Sequence, residues 1–118
     1  MKVIIPVSVG ELVDKITILE IKSLFVENEY IEKELKELNL IKSTLTQFIL
    51  DHEMQLRQVN QELWKIEDRI REKEKLQEFD EEFIELSRSV YKNNDIRARI
   101  KKEINELTNS TYQEIKIY

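Results

Sequence analysis

The stretch Val59 to Glu74, VNQELWKIEDRIREKE, decides the fold. Leu63, Ile66 and Ile70, preceded by Leu56 and Val59, recur at alternating three- and four-residue steps and draw an apolar seam down an α-helix. A second line, Asn60, Trp64, Glu67 and Arg71, runs beside it at the same period. That line carries the only tryptophan and offers a polar, aromatic-bearing face to a partner or ligand.

Composition supports helices elsewhere. Charged residues make up 36% and hydrophobic ones 41% of 118, with one Gly and one Pro, the balance of a surface-charged helical bundle or coiled coil. One apolar set in a chain of this length predicts a single helical domain, residues 1–118. The net charge of −5 argues against general attraction to nucleic acid or anionic membranes. With no cysteine there is neither a disulfide nor thiol chemistry, which suits a cytoplasmic protein. The apolar run in MKVIIPVSVGELVDK is cut by Pro6 and is too short for a signal peptide or a membrane span.

Ser8 and Glu11 form an S-x-x-E capping box, so the first helix is expected from about Val9 to about Glu27. Its apolar residues cover most of its circumference, which predicts a central position and puts Asp14, Thr17 and Glu20 at risk of burial. From Tyr30 to Ile70 one heptad register holds, broken only at Lys42 and His52. It reads either as one helix of about 60 Å or as a hairpin. We prefer a turn around Leu50 to Glu53, with Asp51 capping the new helix and the two helices matched in length. Asp80 is the expected N-cap of the last helix, with Phe79 stapled on Ile84, and this helix ends near Leu107 or Thr108. Val3 to Ile5 and Tyr112 to Tyr118 are candidates for a short terminal strand pair. The fold class expected is all-α, an antiparallel bundle of three long or four shorter helices.

Two polar residues, Asn93 and Arg97, interrupt the seam of the last helix. A guanidinium on a core seam needs a carboxylate or phosphate, and Asp14, Glu20 and Glu67 are the helical acids available. This predicts a polar cluster joining the first helix, the tryptophan helix and the last helix. Arg88, Tyr91, Asp95 and Arg99 lie on the adjacent stripe and could open an edge of it to an anionic ligand. The plainer alternative is a set of salt bridges that fixes register. The basic run RARIKK, Arg97 to Lys102, has only Tyr91 for aromatic company, so nucleic-acid binding is not expected.

Metal and cofactor chemistry find no support. The single His52 has Ile49, not Glu, three residues before it. Glu82-x-x-Glu85 is similar to the magnesium-holding acids of all-helical nucleotide pyrophosphohydrolases, but no matching second acid pair on a next helix accompanies it, Asn94-Asp95 being the nearest offer. No catalytic triad or glycine-rich phosphate loop is present.

Three blocks, IPVSVGELVDKITILEIK, VNQELWKIEDRIREKE and FDEEFIELSRSVYKNNDIRARIKKEIN, resemble a family of small uncharacterised bacterial proteins, a domain of unknown function with phage relatives. The resemblance covers about half the chain. It implies no reaction, only a context near genes for sugar transfer and cell-surface polysaccharide assembly. Family-like positions are Asp14, Lys15, Glu20, Trp64, Glu67, Asp68, Arg88, Tyr91, Asn94, Asp95 and Arg97.

The functional expectation is a non-enzymatic helical interaction module that self-associates or binds a protein partner, without cofactor or membrane. The alternative is a protein or enzyme that binds a small anionic ligand such as a sugar phosphate. The residues expected to serve either role are Glu20, Trp64, Glu67, Arg71, Arg88, Tyr91, Asp95 and Arg97.

Overall fold

The computed structural model describes residues 1–118 and contains four α-helices: α1 (Val9–Phe25), α2 (Glu29–Lys42), α3 (Leu50–Leu76) and α4 (Glu81–Leu107). The fold is all-α, as expected. α3 and α4 form a long antiparallel hairpin, α1 packs against both, and α2 packs along α1 alone. No helix is long and apolar enough to cross a membrane.

α1 is the central element. Val13 and Ile16 are fully buried, with Leu12, Leu19 and Ile21 beside them. Val13 joins Leu56 and Val59 of α3, Ile100 and Ile104 of α4, and Ile49 before α3 in the core. Ser8 caps α1, its Oγ accepting from the Glu11 amide at 3.1 Å. The reciprocal half of the capping box does not form, because the Glu11 carboxylate turns instead to Lys101. The helix ends at Phe25, where Val26 goes extended.

The heptad from Tyr30 to Ile70 is broken, but earlier than expected. Residues 43–49 form the connection, and α3 begins at Leu50 with Ile49 in the N-cap position and no side-chain cap. Asp51 therefore lies in the first turn and does not cap it. The two helices are unequal, 14 residues against 27. Lys42, the seam breaker, reaches the buried Glu53 carboxylate at 2.7 Å, and His52 faces Glu103 at 3.2 Å. Both interruptions of the heptad thus become polar ties between elements.

At the other end of the hairpin, Gln77 ends α3 in the left-handed region (φ 55°) and Asp80 caps α4 through the Phe83 amide. Phe79 packs edge-on against Phe83, ring centroids 5.2 Å apart, while Ile84 is exposed, so the staple uses a different partner. The terminal segments form no strand pair. Val3 to Ile5 and Ile115 to Tyr118 are exposed, and neither segment makes a backbone-to-backbone hydrogen bond.

Candidate functional site

Two polar rows meet where α1 crosses α4. On α4, Arg97, Lys101 and Asn105 stand at four-residue steps and share a face. On α1, Gly10, Asp14 and Thr17, at steps of four and three residues, also share a face. The rows run antiparallel. The Gly10 amide donates to Asn105 Oδ1 at 2.7 Å, Lys101 Nζ lies 2.8 Å from Glu11, and Arg97 grips Asp14 with two nitrogens, Nε at 2.9 Å from Oδ1 and Nη2 on Oδ2. Glycine is required at position 10, since a Cβ there would lie 2.6 Å from the Lys101 carbonyl oxygen.

α3 adds the third side. Asn60 Nδ2 donates to Asp14 Oδ1 and to Thr17 Oγ1, both at 2.9 Å, and the Thr17 hydroxyl donates back to the Asp14 carbonyl at 2.8 Å. Asp14 is 1% exposed, yet no buried side-chain polar atom in the protein is left without a partner. The cluster joining three helices is the one expected from Arg97, with Asp14 the only one of the three expected acids in it. Glu20 instead pairs with Arg57, and Glu67 makes only a loose contact with Arg71 at 3.7 Å. The Asp14 hydrogen bonds raise the Arg97 pKa further above its ordinary value, against the opposing effect of burial. Burial pushes the Lys101 ammonium down, but its hydrogen bonds to Glu11 and Glu114, with the charge of Asp14, outweigh that and raise it.

Arg97 separates two clefts. One, of about 440 Å³, lies between α1 and α3 and is lined by Asn60, Trp64, Glu67 and Arg71 together with Asp68, Ile18 and Ile21. The whole second line of the tryptophan helix therefore faces one concavity. Trp64 is held there by Phe25, whose ring stacks on it at 5.2 Å and 10°. The other cleft, of about 530 Å³, lies between α4 and the two terminal segments, with Arg97, Lys101, Tyr112 and Glu114 among its walls.

Of the residues singled out in the sequence, Trp64, Glu67, Arg71 and Arg97 come together. Asp95 does not join them: it pairs with Lys116 of the C-terminal segment at 3.2 Å. Arg88 pairs with Glu85 on the outside of α4, and Tyr91 is exposed. Sequence reasoning placed Lys101 only in the basic run and passed over Asn105 and Glu114. The signal for the first two was the four-residue spacing onward from Arg97, which places them on the same face; nothing local marks Glu114. No three carboxylate or imidazole groups converge as a metal site.

A family model matches residues 1–118. The chain belongs to DUF6165, a family of unknown function. The match spans the whole chain, where the sequence blocks carried about half of it. Neither curated proteins nor solved structures give a match.

Proposed function

We propose that this DUF6165 protein is a non-enzymatic interaction module that self-associates through the apolar run at the α2–α3 connection. The observation that carries the reading is α2 itself. It is amphipathic, yet none of its residues is buried. Leu40 and Ile41 at its end, then Phe48, Leu50 and Met54 around the start of α3, are all exposed. Apolar side chains concentrated in one stretch of chain mark a surface that another surface covers.

Area supports this. The chain exposes 8681 Å², whereas a compact monomer of its mass exposes about 6,800 Å². The excess is roughly 1,900 Å², and the exposed apolar residues of the α2–α3 region and of the terminal segments both contribute to it. A stable dimer needs only about 800 Å² from each partner. A second copy is the occupant we favour, because an identical surface brings its own matching excess to an isologous contact.

Sedimentation equilibrium tests the reading. The wild-type protein is expected to run as a dimer, and the double variant Ile41→Glu, Phe48→Glu as a monomer with unchanged helicity. A wild-type monomer at every concentration would overturn it. That result would favour a second reading, supported by the shared cleft of Trp64, Glu67, Arg71 and Arg97. There the largely exposed Arg71 guanidinium is free to meet the anionic group of a small ligand lying against the indole.

A further inference from the structure

The basic run Arg97 to Lys102 has no part in the self-association surface, and the C-terminal segment lies across it. Lys101 is 7% exposed. A buried ammonium needs anions around it. Two of its acids, Glu11 and the more distant Asp14 at 3.9 Å, are built into α1. The third, Glu114 at 2.7 Å, is not built into any element.

The segment that carries Glu114 has no helix, strand or backbone-to-backbone hydrogen bond after Ser110. Its Ile115, Ile117 and Tyr118 are exposed, so burial of apolar surface does not hold it down. What tethers it is polar: Glu114 on Lys101, Lys116 on the exposed Asp95, and the Ser110 hydroxyl accepting from the Val9 amide at 3.1 Å. The largely exposed Lys116–Asp95 pair contributes little, so the strap rests mainly on the single contact of Glu114 with Lys101.

The strap also divides a larger space. Beside the 530 Å³ cleft lies another of about 450 Å³, and Ala98, Lys101, Glu114 and Lys116 line both. The second cleft is also lined by Arg99 and Lys102, neither of which forms an ion pair. With Glu114 lifted away, Lys101 loses one of its two close carboxylates next to two cations that have none. Lys116 leaves with the strap and Asp95 stays, so the opened space holds Lys101, Arg99 and Lys102 against Asp95 and the Glu11 already bound to Lys101, while Arg97 stays committed to Asp14.

We infer that the C-terminal segment is a displaceable strap over an oxyanion site formed by Lys101, Arg99 and Lys102. The Glu114 carboxylate occupies the position that a ligand's phosphate or carboxylate group takes when the strap lifts. The ligand class is a small molecule with a multiply charged oxyanion group, since three cations within one turn of α4 line the same cleft and can share its charge.

Calorimetric titration at fixed ionic strength tests this, with sodium pyrophosphate and sodium succinate as probes. If the strap is open in about a tenth of molecules, Glu114→Gln is expected to tighten binding about tenfold over the wild-type chain. Tighter binding of pyrophosphate assigns a phosphoryl ligand, and tighter binding of succinate a carboxylate one. Lys101→Met, placed on the Glu114→Gln background, is expected to abolish the gain. Should that variant fold poorly, Arg99→Gln with Lys102→Gln, both on exposed positions, is expected to weaken binding without loss of helicity. Equal affinity in Glu114→Gln and wild type, no binding of either anion, or binding indifferent to Arg99 and Lys102 would each overturn the inference.

Discussion

The two ends of the α3–α4 hairpin are made of similar material and held together differently. At the end near the chain termini, α1 wedges between the helices, and Leu56, Val59, Ile100 and Ile104 are buried around Val13. At the turn end there is no third helix: α1 has stopped at Phe25, stacked on Trp64 about midway along α3. No residue of α4 before Ile100 is buried, and beyond Ile66 the only buried residue of α3 is Lys73. An apolar seam at heptad spacing runs through both ends. The seam says which face of a helix is apolar; the covering helix decides whether that face leaves water.

The ionic clusters differ in the same way. Asp14 sits in the interior with Arg97, Asn60 and Thr17 around it. At the turn, Lys73 Nζ lies 2.7 Å from Asp80 and 3.2 Å from Glu78, and Arg69 Nε lies 2.6 Å from Glu82, with all three carboxylates about half exposed. The interior cluster is costly to break because its survivors are stranded, whereas the acids at the turn are already half in water.

The largest effect is therefore expected at the wedged end. Asp14→Ala leaves the Arg97 guanidinium without its carboxylate and Asn60 without one of its acceptors. Loss of about 3 kcal/mol is expected, the lower end of the range for a broken buried pair because Arg97 still reaches water. Urea denaturation measures it, and a change under about 0.5 kcal/mol, typical of surface sites, would erase the distinction between the two ends. Gly10→Ala tests the same crossing by crowding instead of by charge. The added methyl meets the Lys101 backbone 2.6 Å away, so α1 and α4 must separate, at a cost of about 1 to 2 kcal/mol. An unaffected midpoint would mean that the helices do not approach as closely as the structure places them.

How far the sequence foretold this follows from the same contrast. The bundle class, the Ser8 and Asp80 caps and the central position of α1 were legible, because caps and periodicity are local. That Arg97 would find a helical acid was legible too, since a cation on an apolar seam has few alternatives. Which acid it finds depends on the angle at which α1 crosses α4, and no local pattern encodes that angle; hence Asp14 and not Glu20 or Glu67. The register alone could not show that α2 would be left uncovered, because its heptad continues that of α3. The break at residues 43–49 was displaced from the expected Leu50 to Glu53 because no glycine or side-chain cap marks it.

The smallest effect is expected at the open turn, and acid reveals it. The Lys73 hydrogen bond and the Phe83 amide hold Asp80 below its ordinary 3.8, and Arg69 holds Glu82 below its ordinary 4.5. Both carboxylates have depressed values in the folded protein, so their contribution is complete above the ordinary carboxylate range and disappears as pH falls through the lowered values. The partners Lys73 and Arg69 are shifted upward and stay charged throughout that window. The Phe83 amide, which donates to Asp80 at 3.0 Å, is expected to shift in proton spectra with a midpoint below 3.8. The Gly10 amide donates to the Asn105 side-chain carbonyl, which does not titrate, and is expected to stay still over the same range. A Phe83 midpoint at or above 3.8 would show that Asp80 is not engaged by Lys73, and a Gly10 amide moving with it would show that the two ends respond to acid as one.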